Sequence, residues 1–131
     1  MIDVADKQRQ GLHPALKQIV DRETEEKRNY FFCAACSHVL GDQRDRFEVN
    51  SSFEHICTNP YGFSFHIGCF SAALGCAISG EPNAADTWFA GYTWRLATCS
   101  QCQQHTGWLF ERATEQVDAF YGLILDRIQI E

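Results

Sequence analysis

Lysine is absent after Lys27, no cysteine follows Cys102, and no run of residues is long and apolar enough to serve as a leader or a membrane span. Each absence excludes something. Beyond Tyr30 the basic residues are Arg44, Arg46, Arg95, Arg112 and Arg127, outnumbered by Asp and Glu in a chain of formal net charge −6. A nucleic-acid reader carries a basic stripe that replaces counterions on phosphates, so DNA and RNA are not expected partners. A spanning helix needs roughly 20 consecutive apolar residues, so no membrane association is expected. The N-terminal stretch Met1 to Lys7 lacks the apolar core of a secretory signal, which implies a cytoplasmic location. Cysteines number seven, an odd count, and in a reducing compartment such residues at short spacing serve as metal ligands more often than as disulfides.

The 131 residues, 45% of them hydrophobic, suit one modest domain. Residues 1–29 form a polar extension whose Leu12, Leu16, Ile19 and Val20 fall at helical spacing, with Pro14 suited to a first turn. Residues 30–131 form the domain proper. There, short runs rich in aromatic and β-branched residues alternate with Gly, Asn, Asp and Pro, the pattern of an all-β fold. Strands are predicted over Arg46–Asn50, Glu54–Thr58, Phe63–Ile67, Thr93–Ala97, Gly107–Arg112 and Phe120–Ile128. Asn59-Pro60-Tyr61-Gly62 predicts a hairpin turn, because proline presets φ and glycine accepts the strained position. Periodicity does not decide between strand and short helix for Cys69–Ser79.

Cys33-Ala34-Ala35-Cys36 and Cys99-Ser100-Gln101-Cys102 are two C-x₂-C knuckles. This spacing brings two thiolates from one tight turn onto one ion, and two knuckles complete a tetrahedron. Four cysteines with no open position make a structural Zn²⁺ site, with stability as its role. Cys57, Cys69 and Cys76 are isolated in apolar surroundings, as expected of packing residues. His38, His55, His66 and His105 have no spacing that forms a second metal site.

Trp88 and Trp94 flank Phe89-Ala90-Gly91-Tyr92-Thr93, and Trp108 stands six positions past the second knuckle. Residue types alone leave two readings open. Tryptophan is the largest apolar side chain and fills cores. Alternatively, Trp94 and Trp108 sit on two arms of one hairpin, Gly91 turns Trp88 back toward them, and three indoles wall a cavity. Such a box takes either a cation against the ring faces or a flat neutral ring that stacks.

The first knuckle, Glu54-His-Ile-Cys-Thr-Asn-Pro-Tyr-Gly-Phe-Ser-Phe65, Gly80-Glu-Pro82, Thr87-Trp-Phe-Ala-Gly-Tyr-Thr-Trp94, Ala97-Thr-Cys-Ser-Gln-Cys102, His105-Thr-Gly-Trp-Leu-Phe110 and Phe120-Tyr-Gly-Leu-Ile124 together resemble the thalidomide-binding (CULT) domain of cereblon and its stand-alone bacterial relatives. The resemblance covers about residues 30–128. It implies a β-tent, two antiparallel sheets joined near a Cys₄ zinc site, with a tri-tryptophan pocket for cyclic imides. By the same resemblance Trp88, Trp94 and Trp108 are the walls and Phe110 the floor. Asn59, Pro60 and Phe65 belong to the hairpin side, and backbone groups around Asp86, Thr87 and Trp88 bond the imide. Asp86 stands where cereblon has histidine. The Lon-like region and the ubiquitin-ligase docking segment of full-length cereblon have no counterpart here, so a ligase-receptor role is not implied.

The expected function is therefore non-enzymatic recognition of a ring presenting carbonyl, N–H and carbonyl in sequence. Candidates are glutarimide, succinimide, thalidomide-like compounds, a pyrimidine such as uridine, or a cyclic imide at a protein C-terminus. The alternative is an aromatic-cage reader of methylated lysine or another quaternary ammonium. A methionine sulfoxide reductase of the B type shares the architecture, but its nucleophilic cysteine near the C-terminus is missing. A hydrolase would have only Asp86 as general base.

Overall fold

A computed structural model describes residues 29–112 and 118–130. The helix expected over Leu12, Leu16, Ile19 and Val20 lies outside the described residues. The described residues form nine strands: β1 (Tyr30–Cys33), β2 (Val39–Asp42), β3 (Glu54–Thr58), β4 (Ser64–Phe70), β5 (Cys76–Asn83), β6 (Tyr92–Cys99), β7 (His105–Arg112), β8 (Phe120–Ile124) and β9 (Ile128–Ile130). They form a three-stranded sheet in the order β2-β1-β9 and a six-stranded sheet in the order β3-β4-β8-β7-β6-β5. Every strand pair is antiparallel. The all-β expectation therefore holds, with two antiparallel sheets that meet at the cysteine cluster.

The hairpin at Asn59 forms as its residues dictate. Gly62 takes φ 90°, and its N–H donates to the Asn59 carbonyl at 3.0 Å. The Asn59 side-chain oxygen accepts from the N–H groups of Tyr61 at 3.0 Å and Phe63 at 2.9 Å, an Asx turn that closes the loop. Tertiary packing changes other expectations. Arg46–Asn50 is not a strand. Its backbone meets the large sheet at one isolated bridge, Arg46 to Phe70, a second bridge, Val49 to Ser52, closes its own turn, and Asn50 and Ser51 turn left-handed at φ 51° and 69°. Two successive left-handed residues cannot continue an extended chain. Phe120–Ile128 is not one strand either. A 3₁₀ turn at Leu125–Arg127 breaks it, so that β8 serves the large sheet and β9 the small one. The stretch from Cys69 to Ser79 is the end of β4, a turn, and the start of β5. Pro82 is tolerated in β5 because that strand is the sheet edge, and the pairing register shifts between Ser79 and Asn83.

Two apolar clusters fill the interior. One gathers Phe31, Leu40, Phe70, Leu123 and Ile128 around Cys33 and Cys99 where the sheets meet. The other gathers Ile67, Cys69, Phe89, Trp108, Phe110, Phe120 and Ile124 on the face of the large sheet. Burying each phenylalanine side chain contributes about 1.5–3 kcal/mol. Strands β7 and β8 approach closely at Gly107, where a Cβ would lie 2.1 Å from the Gly122 carbonyl oxygen. Only glycine fits there.

Candidate functional site

The two knuckles are built alike. In the first, the Ser37 N–H donates to the Cys33 carbonyl at 2.8 Å and the Cys33 N–H to the His38 carbonyl at 2.8 Å. In the second, the Gln103 N–H donates to the Cys99 carbonyl at 2.9 Å and the Cys99 N–H to the Gln104 carbonyl at 2.8 Å. Ser37 and Gln103, one residue past each second cysteine, both turn left-handed, at φ 66° and 64°. This turn reverses the chain within each knuckle, so that both thiols face one point.

That point lies between the sheets. The four sulfurs of Cys33, Cys36, Cys99 and Cys102 all lie within 4.8 Å of one another. Cys33 and Cys102 are 3.6 Å apart, as are Cys36 and Cys99. Thiolates at about 2.3 Å from a tetrahedral zinc stand about 3.8 Å apart, so the donor set fits the ion and leaves no open position. Cys33 ends β1 and Cys99 ends β6, so one ion ties the small sheet to the large one. Around it, the Ser100 hydroxyl and His38 Nε2 meet at 3.1 Å across the knuckles, and the Ala34 N–H donates to the Arg127 carbonyl at 3.0 Å.

The remaining cysteines have a different chemistry. Burial pushes the Cys57 and Cys76 thiols up, and burial together with the neighbouring Cys57 pushes Cys69 up to about 12. A thiol held protonated in this way is a poor nucleophile.

On the large sheet a cavity of about 400 Å³ opens. Register explains its walls. Trp94 lies opposite Phe110 and Leu96 opposite Trp108 across β6 and β7, which places all four on one face. Trp88 comes from the loop between β5 and β6. Gly91, at φ 87°, reverses that loop, and the Tyr92 N–H donates to the Phe89 carbonyl at 3.0 Å. The Trp88 ring meets Trp108 edge to face, with centroids 4.7 Å apart, and Phe65 meets Trp108 at 5.3 Å. Two indole N–H groups are used internally: Trp88 Nε1 donates to the Thr58 carbonyl at 3.0 Å and Trp94 Nε1 to the Ala85 carbonyl at 2.8 Å. Neither of these two N–H groups is left over for a guest.

The structure brings Asn59, Pro60, Phe65, Asp86, Trp88, Trp94, Trp108 and Phe110 to this cavity. Thr87 is not among its lining residues. Its hydroxyl stays within its own loop, 3.3 Å from the Phe89 carbonyl and 3.4 Å from the Phe89 N–H. Three lining residues escape sequence reading: Tyr61, Leu96 and His105. Leu96 could have been found by its period-two spacing from Trp94, and Tyr61 by its place in the Asn59 turn. His105 carries no local signal. The alternative between core and cavity also receives a divided answer. Trp108, 9% exposed, and Phe110, 1% exposed, belong to the core and to the cavity base at once, whereas Trp88 and Trp94 are only half-buried.

His105 is held firmly. Its Nε2 donates to the Gly107 carbonyl at 2.9 Å, and its Nδ1 lies 3.4 Å from Arg127 Nη1. Burial, with Arg127 reinforcing it against the opposing Gly107 carbonyl, holds the ring below the ordinary histidine range, so it is neutral near pH 7.

Among known proteins, residues 29–130 match the family described as Yippee zinc-binding/DNA-binding/Mis18, centromere assembly. The chain is 29% identical over 114 residues to the protein cereblon of Drosophila yakuba, a match covering 83% of this chain and 19% of that protein. It is 30% identical over 105 residues to the cereblons of Drosophila erecta and Drosophila melanogaster, covering 76% of this chain and 18% of each. The chain thus spans less than a fifth of the length of these relatives. With the geometry of the four sulfurs, the match identifies one structural zinc.

Proposed function

The chain belongs to the Yippee–Mis18 family, and from that premise we propose that its cereblon-like domain is a non-enzymatic binding module for small cyclic imides. Glutarimide, succinimide and thalidomide-like rings are its guests, with uridine as a related ring, and a protein bearing a C-terminal cyclic imide as a larger partner. The observation that carries this reading is the set of three indoles, Trp88, Trp94 and Trp108, around a cavity of about 400 Å³ floored by Phe110. That volume lies in the lower part of the range for small-molecule sites, roughly 300–1,000 Å³. Aromatic rings provide the walls, and the backbone of Asp86 and Trp88 provides the polar contacts to carbonyl and N–H. A ring of about eight heavy atoms, at roughly 1 kcal/mol per atom, binds in the micromolar range.

DNA binding, named in the family description, is not carried over to this chain, because its net charge of −6 opposes phosphate contact. Catalysis is not part of the reading, since the three cysteines outside the metal centre are held as thiols. Among the described residues no helix is long and apolar enough to cross a membrane.

One observation favours a second reading. Asp86 lines the same aromatic cavity, and a carboxylate beside indole faces suits a quaternary ammonium. Tryptophan fluorescence titrated with glutarimide, N-methylglutarimide, uridine and trimethyllysine separates the two. Saturable binding of glutarimide, weakened more than tenfold by N-methylation, is the expected result. Response to trimethyllysine alone would transfer the site to the cation class.

A further inference from the structure

The polar groups around the cavity are unequally engaged. Trp88 Nε1 and Trp94 Nε1 donate to backbone carbonyls, the Asn59 oxygen accepts two backbone N–H groups, and both His105 nitrogens face partners. The Asp86 carboxylate, by contrast, stands exposed at the cavity rim and has no hydrogen bond or ion pair among the described residues. Among the described residues, apart from His105, which is neutral near pH 7, it is also the single acidic or basic residue lining the space.

The backbone holds Asp86 in place. It adopts φ 54°, a left-handed conformation that aspartate and asparagine tolerate better than most residues. The preceding Ala85 is clamped from both sides: its N–H donates to the Asn83 side-chain oxygen at 2.8 Å and its carbonyl accepts from Trp94 Nε1 at 2.8 Å. The loop backbone is thereby fixed next to Asp86, and its exposed carboxylate sits at the cavity edge. Facing a neutral imide, a carboxylate can accept only the single ring N–H and is repelled by the two flanking carbonyls. Facing an ammonium, it offers an ion pair, and the negative faces of the neighbouring indoles act in the same direction.

We infer that the ring preferred by this cavity carries a protonated amine arm, with Asp86 as the residue that selects it. This rests on the imide reading above and specifies its ligand as a cationic cyclic imide, of which 3-aminoglutarimide is the simplest probe.

The experiment compares three probes by calorimetry on the zinc-loaded protein at about pH 6.5, where an α-amino group is protonated. The probes are 3-aminoglutarimide, its N-acetyl derivative and unsubstituted glutarimide. The amine is expected to bind about fivefold more tightly than its acetylated form, an advantage that shrinks toward unity at about 0.5 M salt. In Asp86→Asn, which keeps the left-handed turn, the ratio of the two affinities is expected to fall to about one. An equal affinity of both forms for the native protein, or an amine advantage that survives Asp86→Asn, would overturn the inference while leaving the imide reading in place, provided unsubstituted glutarimide binds. If no imide binds, the reading of the site falls and this inference with it.

Discussion

His105 and Trp108 meet edge to face, with ring centroids 4.8 Å apart and planes at 89°. Behind His105, Arg127 Nη1 donates to its carbonyl at 2.9 Å, while the Arg127 carbonyl accepts from Ala34 in the first knuckle and, at 3.5 Å, from the Gln104 side chain beside the second. One arginine on the turn between β8 and β9 thereby connects both halves of the metal centre to the base of the cavity.

Acidification tests that relationship. The folded protein keeps His105 below its ordinary 6.5, so the unfolded chain binds more protons through and below that value. Stability from this group is fully present above about pH 6.5 and is lost as pH falls toward the folded value. The Tm is expected to drop as pH falls below about 6.5, and to drop less in His105→Gln at equal zinc content. Identical pH slopes for the two proteins would remove His105 from the account.

Zinc removal gives the largest effect. Structural zinc in small peptides contributes about 10–16 kcal/mol of apparent binding energy, comparable with the whole stability of a domain. The protein should contain about one zinc per chain, and Cys33→Ser or Cys99→Ser should leave it largely unfolded by circular dichroism. Well-folded protein free of zinc would contradict this.

The tryptophans should separate by burial. Trp108 packs against Phe65, Trp88 and His105, and its truncation to alanine is expected to cost about 3–5 kcal/mol, as for a core aromatic. Trp94, half-buried, should lose imide binding on truncation while the zinc-bound fold survives. Denaturant melts paired with ligand titration read both effects. Unfolding of Trp94→Ala would show that it serves packing instead.

The buried thiol Cys69 should be inert. Raised to about 12, it is protonated at pH 8 and should resist iodoacetamide in the folded protein, with Cys69→Ala altering imide affinity less than about twofold. Rapid labelling of Cys69, detected by mass spectrometry, would reopen a redox or nucleophilic role.

Much of the architecture is local and was readable in advance. The C-x₂-C spacing dictates each knuckle by itself, since a four-residue turn has few ways to point two thiols at one ion. Asn-Pro-Tyr-Gly dictates its hairpin for a similar reason, and β3 runs from Glu54 to Thr58 as its residues predict. The alternation Trp94, Leu96 and Trp108, Phe110 needed only the period of a strand.

Other features were decided by partners distant in sequence. Arg46–Asn50 has strand-forming residues, yet the Phe47 N–H is taken by the Cys69 carbonyl and its ring lies on Phe120, so it crosses the core as an irregular cover. Phe120–Ile128 reads as continuous, but serving two sheets requires the turn at Leu125–Arg127. His105 and Arg127 lie 22 positions apart, and no spacing rule links them. Trp108 both packs in the core and lines the cavity because its ring meets Phe65 and Trp88, which come from segments far from it in sequence. Short-range spacing and periodicity settled the metal ligands, the turns and the inward faces. Register between strands far apart in the chain, set by burial of Phe31, Phe70, Phe110 and Phe120, settled where those faces meet and what space they leave.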